Sequence, residues 1–470
     1  MPSVDGMSTS LRTGPWTLVA ASLGFGVVQL DVTAVNVAVE PIGRALGGGV
    51  AGGQWVVDAY TVTFAALILT AGALGDRLGA RRLFAGGFVL FTLASVACGM
   101  APGLGTLIAA RAVQGIGAAV LVPCSLALVA HAHPAPAARA RAVGIWAAGA
   151  SVALSAGPLL GGLLVQVAGW RTLFLINVPL GIAGLLLTAR RVRETPASGA
   201  RGVDLSGQAA AATALAALAG ATILGGAAGF AAPAVLCLYG LAVLAGIAFV
   251  VVETRTPAPM LPPALFRRPV FAAASAMGLL VNVAFYGLIF VIGLYLQQVL
   301  GRSPLVTGLA FAPTTVAVGF ANLLAARLGG PHRTIVVGSA LLAAGCLTVI
   351  ATDAVVVGLA VAGFGLGLVV PAMTAALLGS VEPARSGVAA GTLNTARQAG
   401  SVLGVGLFGA LAARGLHTGL HAALLISVAI AVAVAGLALP LRPKISDGRP
   451  PRVRSSRGRA VAARRRSAAG

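Results

Sequence analysis

The chain has 470 residues, 58 % of them hydrophobic and 9 % charged, with a mean hydropathy of +0.97. A soluble chain carries about 25 % charged residues and presents roughly half its surface to water, so a water-soluble enzyme is excluded. At about 20 residues per crossing the length holds about 12 to 14 transmembrane helices. The net charge of +21, built from 32 bases (all arginine but Lys444) against 11 acids, fits membrane topology and anionic lipid in so apolar a chain, not nucleic acid.

Backbone groups must be paired in lipid, so long apolar runs there are helices. Fourteen are expected, at 16–37, 54–74, 82–101, 105–130, 142–165, 171–189, 207–226, 232–252, 270–297, 304–326, 333–351, 355–379, 387–412 and 418–439. The first exceeds signal-peptide length and lacks an A-x-A site, so it reads as a span. Asp31 is the only acid well inside a span. It either takes up and releases a proton as access alternates, pairs with a cationic substrate, or is a hydrogen-bonded packing acid. The cost of an acid at lipid depth favours a working role. Asn36 follows as a candidate cavity-lining residue, and Glu40 falls at the outer mouth.

Asp58 lies near the outer end of the second run. A helix N-terminus welcomes an acid by its dipole, so a cap and a proton or cation access role compete. Trp55 and Tyr60 read as an interface belt rather than a substrate cage. Between the second and third runs, Gly72 to Arg82 (GALGDRLGARR) is expected as a loop. Gly72, Gly75 and Gly79 punctuate it, with Gly75 and Gly79 permitting a tight reversal. Asp76, Arg77, Arg81 and Arg82 form its charge cluster. The chain contains no G-x-x-x-x-G-K-[ST], so ATP drive is unsupported and energy must come from an ion gradient or the solute.

In the fourth run Arg111 either snorkels outward or organises a buried carboxylate with Gln114 one turn on. In the fifth, Gly149, Ala153, Gly157 and Gly161 form a smooth stripe that admits a close partner helix, while Pro158 and Gly162 allow a bend. The ninth run is polar at Asn282, Tyr286, Tyr295, Gln297 and Gln298, and the thirteenth at Asn394, Arg397 and Gln398. Gln114, Asn282, Tyr286, Asn394, Arg397 and Gln398 are candidate cavity-lining residues, with helix packing or an interfacial position as the alternative in the ninth run. Gly363, Gly365 and Gly367 before Pro371 are expected to be flexible. Cys98, Cys124, Cys237 and Cys346 lie in apolar runs at no ligand spacing, so they are packing residues and no metal is expected.

A cytoplasmic N-terminus puts Arg77, Arg81, Arg139, Arg141, Arg190, Arg191, Arg193, Arg201, Arg255, Arg267, Arg268, Arg327, Arg333 and Arg385 inside, along with the basic tail. Only isolated bases, Arg44, Arg171, Arg302 and Arg414, fall outside. That is the positive-inside asymmetry, and it puts both termini in the cytoplasm of a plasma-membrane protein. The tail from Arg442 to Arg466 is expected to be disordered and to face anionic lipid. Arginine in place of lysine, with abundant Ala and Gly, suggests a GC-rich bacterial genome.

These residues together resemble the major facilitator superfamily, specifically its fourteen-span drug:proton antiporter branch. Leu30 to Val39 (LDVTAVNVAV) resembles the first-helix motif of that branch, and GALGDRLGARR the superfamily loop signature. Arg111, Gln114 and Gly117 match the fourth-helix motif, while Gly157, Pro158, Gly161 and Gly162 match the antiporter motif. GWRTLFLINVPLG (169–181), LYLQQVLGRSPLVTGLAFAP and GVAAGTLNTARQAGSVLG extend the likeness to roughly residues 15–439. Glu40 stands where the family usually has proline, Ala80 where a base is common, and the second-half loop keeps only Arg327, Gly329 and Arg333.

The resemblance implies an all-α major facilitator fold of two six-helix bundles. Residues 16–189 and 270–439 form the bundles, 190–269 a linker with two extra helices, 1–15 a cytoplasmic N-terminus and 440–470 the tail. It implies a proton-driven exporter, functional as a monomer and without a cofactor, with proton coupling at Asp31, Arg111 and Asp58 and gating at the 72–82 loop. No acid lies between Glu253 and Asp353, which favours neutral or monocationic amphiphiles over dications. A facilitator or symporter for a sugar, amino acid or siderophore is the alternative within transport. A non-transporting sensor or scaffold is the alternative outside it.

Overall fold

Lipid forces the backbone to satisfy itself, and among the described residues the chain does so with helices and no strand. The computed structural model describes residues 4–195, 204–256, 259, 261, 263–325, 327–382 and 386–441. The first half runs α1 (Val4–Leu46), α2 (Gly49–Leu78), α3 (Ala80–Gly99), α4 (Leu104–Ala132), α5 (Pro136–Ala168), α6 (Thr172–Leu175) and α7 (Asn177–Arg191). A pair follows, α8 (Leu205–Ala228) and α9 (Pro233–Arg255), then the short α10 (Pro263–Phe266). The second half runs α11 (Pro269–Leu294), α12 (Pro304–Ala325), α13 (Pro331–Thr352), α14 (Val355–Gly379), α15 (Ser386–Ala413) and α16 (Leu416–Leu437).

Thirteen stretches among the described residues are long and apolar enough to cross a membrane, with α6 and α7 together making one and α11 with its π-helical extension Tyr295–Val299 another. The remaining helix of membrane length, α15, has 28 residues; Asn394, Arg397 and Gln398 lower its apolarity. The protein is thus an all-α polytopic membrane protein.

Several local expectations need correction. The expected loop at 72–82 is almost entirely helical: α2 runs to Leu78, α3 starts at Ala80, and Gly79, at φ 93°, is the whole reversal. Gly75 turns nothing; it is buried in α2, where a Cβ would stand 3.0 Å from Cys124 Sγ. The stretch around Gly363, Gly365 and Gly367 is not a flexible segment but part of continuous α14. Each of these glycines meets another backbone, at Thr314, Gly338 and Val318 respectively, so their role is close packing. α1 continues through Glu40 and Pro41 to Leu46. Cys98, Cys124 and Cys346 are buried as packing residues should be, but Cys237 is exposed on α9. Arg201, Arg385 and the tail from Arg442 lie outside the described residues.

The helices alternate in direction, so one end of the molecule (the terminal end) carries Val4 and Leu441 and the opposite end (the far end) carries the α1–α2 turn. In the first half α5 packs on α1, α4 on α2 and α3, and α7 on α3; in the second, α15 packs on α11, α14 on α12 and α13, and α16 on α13. α5 against α12, α2 against α15 and α1 against α11 join the halves, while α8 covers the α2–α15 junction from outside. The expected small-residue stripe makes the α1–α5 contact: Gly149 faces Ser22, Ala153 faces Gly26, Gly157 faces Thr33 and Gly161 faces Ala34.

Candidate coupling site

Asp31, 1 % exposed midway along α1, is the hub of a sealed polar network. Its Oδ2 accepts from Arg111 Nη1 at 2.5 Å, and its Oδ1 accepts from Gln114 Nε2 at 3.0 Å and Asn177 Nδ2 at 2.9 Å. Arg111, also 1 % exposed, donates to Gln114 Oε1 at 2.7 Å and through Nε to the Val56 carbonyl at 3.0 Å. The Tyr60 ring lies 4.2 Å from the guanidinium carbon, a cation–π contact in a desolvated setting. Ser95 accepts from Gln114 Nε2 at 2.8 Å and donates to the Phe91 carbonyl at 2.7 Å.

Five spans, α1, α2, α3, α4 and α7, therefore meet in one network. Glycine makes the approach possible: a Cβ at Gly115 would strike Tyr60 of α2, and one at Gly117 would stand 2.8 Å from the Phe91 nitrogen of α3. Arg111 does not snorkel. Tyr60, 0 % exposed, is no interface belt. Sequence reasoning missed Asn177, which opens α7 just past the helix break at Ile176. Its signal was an amide inside an apolar span.

With Asp31 ionised, the charges cancel and both carboxylate oxygens are occupied. A proton on Asp31 would leave Arg111 a buried, unbalanced cation, a costly state unless the helices rearrange.

Asp58 does not join this network. It occupies the tenth position of α2, too deep for an N-terminal cap. It is fully buried with neither oxygen hydrogen-bonded. It faces the junction of α2 with α15 and α8: a Cβ at Gly406 would stand 3.9 Å from Asp58 Oδ2 and would strike Thr222 of α8. One turn before it, Gln54 Nε2 donates to the Val405 and Gly406 carbonyls at 3.0 Å each, tying α2 to α15.

The antiporter-motif residues lie where three helices converge. Gly157 and Gly161 meet α1, whereas Gly162 abuts the Pro304 carbonyl and the Pro158 carbonyl abuts Gly308, both on α12. With Gln54, and with Gln297 Nε2 donating to the Val37 carbonyl at 3.0 Å, these contacts close the far half of the junction. Beyond them a cavity of about 580 Å³ opens, lined by Glu40, Arg44, Gln166, Gln297 and Arg302. Glu40 pairs there with Arg44.

At the terminal end, the charge cluster after α2 grips the exit of α7. Glu194 Oε1 accepts from the Arg81 amide at 2.9 Å, Arg82 lies 3.7 Å from its Oε2, and Arg81 Nη2 donates to the Ala189 carbonyl at 2.8 Å. Glu194 is a second residue missed from sequence, visible only as an acid after an arginine-rich helix end. Asp76 and Arg77 belong to the last turns of α2, and Gly72 faces Pro123. Asn36 and Asn282 turn their amides onto their own helices, at Val32 and Gly278. Asn394, Arg397 and Gln398 share the first half of α15; Gln398 is buried and the other two are half-buried.

The apolar helices and the polar chemistry concentrated where they meet define a membrane transporter rather than an enzyme. The chain belongs to the Major Facilitator Superfamily, whose profile matches residues 21–405 and 305–468. It is 37 % identical to the methylenomycin A resistance protein of Streptomyces coelicolor, over 83 % of this chain and 84 % of that one. It is 38 % identical to the multidrug resistance protein Stp of Mycobacterium tuberculosis (H37Rv), covering 88 % and 78 %. It is 33 % identical to the tetracenomycin C resistance and export protein of Streptomyces glaucescens, covering 86 % and 77 %. Among solved structures, a bacterial homologue of the human lysosomal transporter Spinster, inward-facing and unoccupied, superposes with a TM-score of 0.62 at 17 % identity, covering 91 % and 98 %. That likeness shows the fold.

Proposed function

We propose that the protein exports small amphipathic antibiotics or drugs from the cell in exchange for protons. The observation that carries the exchange is the buried Asp31–Arg111 pair, 2.5 Å apart and tied to Gln114 and Asn177. Protonation of Asp31 releases Arg111, which shifts α4 and α7 against α1. Deprotonation restores the pair. Export of resistance-type substrates is supported by relatives named for methylenomycin A resistance, multidrug resistance and tetracenomycin C resistance and export.

In this reading α1–α7 and α11–α16 are the two moving bundles, and α8 with α9 is an accessory pair. The terminal end is cytoplasmic: Arg77, Arg81, Arg139, Arg190, Arg255, Arg268 and Arg333 gather there, against Arg44, Arg171, Arg302 and Arg414 at the far end. The unit works as a monomer in the bacterial plasma membrane, with its basic tail on anionic lipid. Asp31 and Arg111 carry the coupling; Asp58 contributes at the α2–α15 junction.

The test is efflux from a pump-deficient bacterium loaded with an amphipathic fluorescent dye and energised. Efflux lost with a protonophore and in Asp31→Asn supports the reading. Efflux that persists in either condition contradicts it.

A further inference from the structure

Among the described residues Arg397, well inside α15, stands in no ion pair; the pairs are Glu40–Arg44, Glu194–Arg82, Asp31–Arg111 and Glu382–Arg268. The stem of Arg397 crosses α11 at Gly278, where a Cβ would stand 3.3 Å from Arg397 Cγ. Its Nε is buried without a hydrogen-bond partner. A guanidinium at membrane depth is costly and usually paired, and its planar fork of donors matches a carboxylate.

The surroundings lack an acid but not polar groups. Tyr286, on α11 like Gly278, is buried. The Tyr60 hydroxyl is buried and unpartnered, although its ring supports Arg111. The two phenols come from opposite halves of the protein, Tyr60 on α2 and Tyr286 on α11. Next to Tyr286, Phe285 (ring centroids 5.1 Å apart) joins Ile289, Phe311 and Val318 in walling an apolar cavity of about 20 Å³ between the halves. Of the buried acids, Asp31 is held by Arg111, and Asp58 faces Gly406 further along α15 and is in no ion pair with Arg397. At the far-end cavity Arg44 and Arg302 outnumber Glu40.

We infer that Arg397 is the recognition site for an acidic group, a carboxylate, on an otherwise apolar small-molecule substrate. The inference rests on the export reading and names its substrate class, in place of the neutral or monocationic amphiphiles expected from the missing acids. A drug-sized ligand needs about 300 Å³ or more, so the acid reaches Arg397 once the halves part and the small cavity widens. The apolar wall takes the body of the molecule and the guanidinium its charged group.

Binding is measured on the full-length protein in lipid nanodiscs, without any gradient, using 1-pyrenebutyrate and its uncharged primary amide, with empty nanodiscs as the partition baseline. A charge-assisted contact at this half-buried arginine predicts that the acid binds at least about ten-fold more tightly than the amide. Arg397→Gln brings that ratio to about one, and Arg397→Lys keeps part of it. Because the ratio is taken within one preparation, partial misfolding of a variant does not imitate the result. Equal affinity for acid and amide in the unmodified protein, including no saturable binding of either, overturns the inference, as does an undiminished ratio in Arg397→Gln. Acid-selective binding in a protein that shows no proton-driven flux would overturn the export reading and leave the site standing.

Discussion

Asp31→Asn keeps the shape of the side chain and removes its charge. Arg111 then has no counter-charge in a site 1 % exposed, keeps Gln114 Oε1 at 2.7 Å and the Val56 carbonyl at 3.0 Å, and competes with the Gln114 and Asn177 amides for the single oxygen left at position 31. Breaking a buried pair from one side costs about 3–5 kcal/mol, most of it the stranded charge. Removing the cation as well, in Asp31→Asn/Arg111→Gln, leaves neutral amides that can hydrogen-bond one another. The double variant is therefore expected to be more stable than the sum of the two singles, by about 1–3 kcal/mol. The assay is reversible unfolding in mixed micelles, followed by the combined fluorescence of the four tryptophans. An Asp31→Asn variant within about 1 kcal/mol of the unmodified protein, or strictly additive effects, would refute the claim that the pair is dry and mutually dependent.

Asp58→Asn is expected to have the opposite sign, neutral or stabilising in the same unfolding assay, because neither oxygen has a partner to lose and an unpaired buried carboxylate is costly. Gly162→Val places branched bulk against the Pro304 carbonyl of α12; it should hold the far half of the junction apart, raising labelling of an engineered far-end cysteine by a membrane-impermeant reagent. Gln54→Leu deletes the two bonds to Val405 and Gly406, costing about 1–3 kcal/mol of closed-state stability, and the same labelling should rise. Gly79→Val forces a β-branched residue to φ 93° and onto Glu194, 2.6 Å from the new Cβ; a loss of about 1–2 kcal/mol or more is expected in thermal melts.

The class of fold was legible because lipid leaves the backbone few choices: apolar length alone marked nearly every span. Local detail was less legible where two physical roles share one residue type. Glycine signals both turns and close packing, so Gly79 and Gly75 looked alike, and the glycines before Pro371 looked flexible although each abuts a neighbouring backbone. Asp31 and Arg111 stood out because charge is rare at that depth, yet their contact depends on how α1 and α4 rotate against each other, which periodicity does not fix in helices apolar all round. Asn177 was hidden by its ordinary polarity and Glu194 by its place among arginines. Asp58 was recognised as unusual, but its direction, toward α8 and not toward Arg111, depends on packing between segments far apart in sequence.

The central claim is that Asp31 exchanges protons with substrate movement. The direct measurement is in proteoliposomes holding a pH-sensitive dye, with an outward or inward pH gradient imposed and a transported amphipathic substrate added. The account predicts substrate-dependent proton movement opposite to the substrate, abolished in Asp31→Asn while substrate still binds. Substrate flux without proton movement, or proton exchange of full size in Asp31→Asn, would contradict it.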